Sequence, residues 1–357
     1  MQAKRHHLAA MATAAVMGLG AVGSANALTI NLINNGGVDV GTDAYTGFAA
    51  AAYYWESVLT DNVTINLRVG FSVLAETTLG QASSTSGTKT QGSWRSALTA
   101  DATSVLDGIA TSNLAAFSAT NVRLNTALQK ALGLYTGTAT ATDGTITFNS
   151  LRAFDFDTRN GFQVTGSDFV SVAVHEIGHV LGFTSAVASG STNNSTPSNT
   201  DMFRYKDGAS NFTWGGDPYF SIDGGASQLF GRSGFSSGAD GFQTSHWKEG
   251  LRIHDGVSCT QLLEPQIGVM DPTGGLCQQG IVTAQDLGLF DAIGWNLSFN
   301  ALQTPGYAYN TAQIMQGYLD SLAPVPEPGT WAMLVAGLGL VGASARRNNR
   351  RAAVVKG

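Results

Sequence analysis

The sequence predicts an α+β domain spanning residues 28–323, held between two short targeting segments. Three observations point there. Stretches with helical composition or periodicity recur along the chain, an alternating strand pattern stands between the first of them, and composition breaks sharply at both ends.

Residues 1–27 run from Lys4-Arg5-His6-His7 through an apolar stretch, Leu8 to Val22, to Ala25-Asn26-Ala27. That order is a secretory signal, with cleavage expected before Leu28. Phe48 to Leu59 (FAAAAYYWESVL) is apolar all round and reads as a largely buried helix. Val63 to Val73 alternates Val63, Ile65, Leu67, Val69 and Phe71 with polar partners, the period of a half-buried strand. Gly80 to Gly92 is small and polar and reads as a loop, and residues 95–132 as helix with interruptions. Thr145 to Phe148 is an expected strand, one that would serve as a sheet edge. Ser167-Asp168 then reads as the N-cap of a helix from Phe169 to Leu181. Thr184 to Gly241 is irregular, with one short hairpin expected around Tyr219-Phe220-Ser221-Ile222. Thr283 to Trp295 is a capped helix whose apolar face carries Leu287, Phe290 and Ile293.

Between the tails, 12 Lys+Arg face 24 Asp+Glu, so the domain is strongly acidic. A field of that sign disfavours nucleic acid as a partner. Apolar and aromatic residues are plentiful throughout, which excludes a disordered chain. The two cysteines, Cys259 and Cys277, are expected to form one disulfide in an exported protein. Asp155, Asp157, Asp217, Asp223 and Asp240 sit near glycines, but without the spacing of a calcium loop. Ordinary turn chemistry is the expectation for them.

The chemistry concentrates in His175-Glu176-Ile177-Gly178-His179. Two histidines four apart lie one turn apart on one helical face, so both imidazoles can reach one Zn²⁺. Glu176 projects beside the metal, where it can act as general base to a metal-activated water. Gly182 can end the helix in a left-handed conformation and turn the chain back under the site. A catalytic zinc needs a third protein ligand. His246, in Ser245-His246-Trp247, is the first candidate; Glu264 and Asp201 compete with it, and Glu249 and His254 are more remote alternatives.

HExxHxxG resembles the opening of the metzincin peptidases, whose commonest version puts a third His where this chain has Ser185. The more distant Ser245-His246-Trp247, followed by Gly268-Val269-Met270-Asp271-Pro272, is similar to the leishmanolysin-type arrangement. That resemblance implies a zinc endopeptidase with a mixed sheet and active-site helix above the cleft, and a lower lobe carrying His246 and a Met-turn. Met270 would then be a floor beneath the metal. The competing expectation is an envelope or matrix binding protein that keeps the fold with an inactive metal site.

The last segment, 324–357, places Val325-Pro326-Glu327-Pro328 before a short apolar stretch, Trp331 to Val341, and an Arg cluster, Arg346 to Arg351. It resembles the PEP-CTERM sorting signal of Gram-negative envelope proteins. The resemblance implies membrane insertion through the apolar stretch, handling by an exosortase-type enzyme, then release or attachment at the outer surface.

Overall fold

The computed structural model describes residues 28–114, 117–161, 165–190, 196–250, 266–323 and 333–341. The signal segment, Cys259, Glu264 and His254 lie outside the described residues. Cys277 is disulfide-bonded.

The first half of the chain runs β1 (Thr29–Asn34), α1 (Asp43–Val58), β2 (Thr64–Ser72), β3 (Gly80–Ser84), β4 (Ser86–Thr90), α2 (Gln91–Asp101) and α3 (Val105–Ser112). It continues with β5 (Asn121–Asn125), α4 (Thr126–Ala131), β6 (Gly144–Asn149), β7 (Phe154–Asp155), β8 (Ser167–Asp168) and α5 (Phe169–Leu181). After α5 come β9 (Arg204–Lys206), β10 (Ala209–Ser210), β11 (Tyr219–Phe220), β12 (Ile281–Thr283), α6 (Ala284–Ile293), β13 (Ala308–Asn310) and α7 (Thr311–Ser321).

Strands order β1-β2-β6-β3 in the main sheet. The first three are parallel, with Leu32 opposite Leu67 and Phe71 opposite Phe148. β3 closes the sheet antiparallel to β6. The mixed α+β architecture therefore agrees with the sequence expectation. Helices α1 and α5 pack on each other, and their aromatic rings meet those of the sheet. Phe148 and Phe169 lie 4.4 Å apart between ring centroids, and Phe48 and Phe148 4.9 Å. Gly47 makes room for this: a Cβ there would sit 2.4 Å from the Phe169 ring. One contiguous cluster of buried residues runs from Leu28 to Met315, so the region above the cleft and the region below share a core.

Four expectations are corrected. Gly80 to Gly92 is no loop; it holds β3 and β4. Its Gln, Ser and Thr side chains face solvent or the cleft, so the burial alternation that marks a strand is absent from its hydropathy. Residues 95–132 include a strand, β5, paired with β4 between helices. Thr145–Phe148 falls within β6, which has partners on both sides, and the sheet edge is β3 instead. The expected hairpin is also displaced. Tyr219 and Phe220 pair with Tyr205 and Arg204, and the local hairpin is β9–β10, turned by Asp207 and Gly208 with φ of 51° and 77°.

Helix α6 carries an acidic burden in its core. Asp291 is buried; its Oδ2 accepts from Ser104 Oγ at 2.9 Å, while Oδ1 has no partner. Burial, then the nearby Asp107, Asp101 and Asp61 carboxylates, push it up to about 8. The folded pKa lies above the unfolded value of about 3.9, so the native state holds the extra proton between the two. Stability from this group is full at low pH and is lost as pH rises through 8. Urea unfolding should give about 1–2 kcal/mol less stability at pH 8 than at pH 6.5. Asp291→Asn should flatten that slope, and an unchanged slope in the variant would refute the assignment.

Candidate metal centre

Helix α5 is fixed at both ends and along its flank. Asp168 caps it, accepting from the Ser171 amide at 3.0 Å, and the helix spans the residues that the sequence predicts. Gly182 ends it with φ +132°, turning the chain so that the Phe183 amide reaches the Gly178 carbonyl at 3.1 Å. Trp55 Nε1 donates to the Val174 carbonyl at 3.1 Å and Trp295 Nε1 to the Leu181 carbonyl at 2.8 Å. Asn125 Nδ2 takes the His179 carbonyl at 2.7 Å. The last-turn carbonyls of His179 and Leu181 are thus satisfied by side chains from outside the helix, and Trp55 anchors its middle.

On the cleft side of α5, His175 and His179 meet His246. Their Nε2 atoms lie 3.0, 3.1 and 3.2 Å apart, nearly an equilateral triangle. Each Nδ1 faces a backbone carbonyl: His175 to Val269 at 2.8 Å, His179 to Phe183 at 2.7 Å, His246 to Gln243 at 3.2 Å. A carbonyl can only accept, so each Nδ1 carries the proton and each Nε2 presents a lone pair. Three lone pairs at that spacing cannot bond to one another. They fit a shared cation: tetrahedral bonds of about 2.05 Å would place the nitrogens about 3.3 Å apart. Burial pushes His175 down to about 4 and His179 to about 3, and His246 also falls well below its ordinary value. All three rings are therefore neutral at pH 7, the form in which imidazole binds a metal.

Glu176 is buried beside the trio and against β3, where a Cβ on Gly80 would lie 3.1 Å from its Oε1. Burial raises its pKa to about 8, with the nearby Ala82 amide opposing; a dication beside it would likewise lower it.

Beneath the trio runs the turn Gly268-Val269-Met270-Asp271. Met270 is fully buried, and a Cβ on Gly178 would lie 2.5 Å from its sulfur, so the glycine inside the HExxH helix admits the methionine. Asp286, in the first turn of α6, organises this floor. Its carboxylate accepts from the Val269 amide at 3.0 Å, the Met270 amide at 3.3 Å, the Thr283 amide at 2.8 Å and Trp247 Nε1 at 2.8 Å. The sequence reading missed this role. Its one signal was the Thr283/Asp286 capping box.

The remaining candidates fall elsewhere. Asp201 accepts from Ser185 Oγ at 2.6 Å, from the Ala186 amide at 2.8 Å and from the Ser198 amide at 2.9 Å. It ties the loop after α5 and is not part of the cluster. Glu249 accepts from Thr273 Oγ1 at 2.9 Å. Among the described residues, His175, His179 and His246 form the one group of His, Cys, Asp or Glu spaced to hold a metal ion. Of the glycine-side aspartates, Asp223 accepts from Ser227 and Asp240 from Ser237 and Phe242, as turn chemistry expects, whereas Asp217 pairs with Lys248 at 2.6 Å.

Among protein-family models, that of the PEP-CTERM protein-sorting motif matches residues 324–351. The chain carries a PEP-CTERM sorting signal. It is thus recognised by an exosortase-type sorting enzyme and exported to the bacterial cell envelope or surface. Comparison with curated proteins and with solved structures found no match. Within the PEP-CTERM tail, residues 333–341 are helical, and among the described residues no helix is long and apolar enough to cross a membrane.

Asp286→Asn would place an amide NH₂ against backbone donors in a dry site. Losing one acceptor there should cost about 1–3 kcal/mol of unfolding free energy. Because the same carboxylate holds the Val269–Met270 turn under His175, the variant should also bind divalent metal at least tenfold more weakly, read by competition with a chelating dye. Unaltered stability and metal affinity together would show that the floor does not depend on Asp286.

Proposed function

We propose that the chain is an exported zinc-dependent endopeptidase of metzincin-like type, with the leishmanolysin-type order of motifs. What carries the reading is one juxtaposition. Three neutral imidazoles converge beside a buried carboxylate at the floor of an open cleft of about 790 Å³, below an unpaired strand edge.

His175, His179 and His246 would hold the zinc. Bound there, zinc would act as a Lewis acid, acidifying water and polarising a peptide carbonyl. Glu176 would take a proton from that water and return it to the leaving amine. Substrate alignment falls to β3. The Leu79 carbonyl and the Thr85 amide bond inward, to Asn149 and Asp143. By the period of two, Gly80, Ala82 and Ser84 turn their backbone groups outward into the cleft. An extended peptide can add there as a further strand.

The binding-protein reading drew its support from Ser185 standing where a histidine is common. In the fold Ser185 bonds Asp201, and His246 occupies the third corner of the triangle, so the substitution removes no donor.

Casein hydrolysis by the exported protein, with zinc quantified in parallel, tests this. Wild type should cleave and hold one zinc. Glu176→Ala should keep the metal and lose about 10²–10⁴ in rate. His246→Ala should lose metal and activity together. Full zinc and full activity in His246→Ala would sink the proposed ligand set, and zinc without cleavage of casein or any unfolded chain would favour the binding protein.

A further inference from the structure

The cleft walls are almost free of fixed charge. Among the described lining residues, the charged side chains other than the site's own Glu176 are Asp271 and Arg123. Asp271 is buried and accepts from the Gly268 amide. Arg123, on β5, is exposed to the cleft, and its guanidinium has no hydrogen bond or ion pair among the described residues. Its backbone is held on both sides. It pairs with Thr88 of β4, its amide donates to the Pro197 carbonyl at 2.8 Å, and its carbonyl accepts from the Asn199 amide at 3.2 Å. The charge is therefore anchored at its base and unpaired at its tip.

Position along the cleft follows from the strands. A Cβ at Gly80 would meet Val172 and Glu176, while Ser84 Oγ donates to the His179 carbonyl at 3.2 Å. β3 thus runs along α5 from its first turns toward its last. A peptide added antiparallel to β3 has its N-terminal part at the Ser84 end. Beyond that end lies β5, where Asn125 touches the His179 carbonyl. Arg123 is two residues from Asn125 on the same strand, so both side chains share a face, about 6.7 Å apart.

We propose that Arg123 sets the substrate preference of this cleft: it selects extended peptides with an Asp or Glu two or three residues before the scissile bond. This rests on the peptidase reading. The domain as a whole is acidic and slows the approach of such peptides, so the selection is made by one local ion pair at close range. An exposed pair of this kind is worth about fivefold in affinity.

The test is a set of fluorescent octapeptides, identical apart from Glu, Gln or Lys at those two positions. Cleavage is followed as kcat/KM with the exported, zinc-loaded protein. Binding is followed by anisotropy with Glu176→Ala, which needs no turnover. Glu peptides should exceed Gln peptides by about fivefold and Lys peptides by more, in both assays, with the margin shrinking at 0.5 M salt. Arg123→Gln should abolish the margin and Arg123→Glu should invert it toward Lys. An unchanged order in Arg123→Glu overturns the proposal. Cleavage without preference overturns it and leaves the peptidase reading standing. Preference in binding with no peptide cut by wild type upholds Arg123 and removes the peptidase reading.

Discussion

Asp286 is fully buried, and its carboxylate ties together Trp247, the Val269–Met270 turn and the Thr283 cap of α6. Trp247 is the neighbour of His246; Val269 gives its carbonyl to His175; Met270 packs under Gly178. His175 therefore takes its orientation from backbone that this carboxylate holds, and His246 adjoins the indole that it anchors. A buried carboxylate is costly unless its lone pairs are filled, and here four donors fill them. The ring triangle is a consequence of that arrangement: the third imidazole, His179, needs only the helix and the Phe183 carbonyl that follows Gly182.

The upper side of the site is built on a different principle. α5 is buried on most faces and is held by indole and amide donors at its carbonyls rather than by charge. Packing of this kind leaves little freedom for the helix to slide, since Phe169, Gly47 and the sheet aromatics interlock. A site in which one wall is set by packing and the other by a polar hub can be perturbed from either wall independently.

What the sequence revealed divides along physical lines. α5, α1 and α6 were legible because long apolar stretches and caps are local signals, and the α5 boundaries at Asp168 and Gly182 followed from residue types alone. His175, Glu176 and His179 were legible from spacing on one helix. His246 was reachable only through its neighbours Ser245 and Trp247, because the distance in sequence carries no geometry. β3, β4 and β5 were not legible: Ser, Thr and Gly at a polar edge leave no hydropathy period, and pairing is a property of two distant segments. Asp286 and Asn125 were hidden for the same reason, as their partners are backbone groups far along the chain.

The position of β3 has a further consequence. An exposed strand edge on an exported protein ordinarily invites pairing with other sheets, and so aggregation. Here the free edge lies within a cleft and is walled in by other parts of the chain, Gln243 among its lining residues. A folded sheet, several strands wide, meets that wall before it meets the edge. A lone extended segment does not. On the proposed peptidase reading, one recess would work as a filter of thickness: it would keep the protein from sticking to its neighbours and admit only chain that has come loose from its own fold.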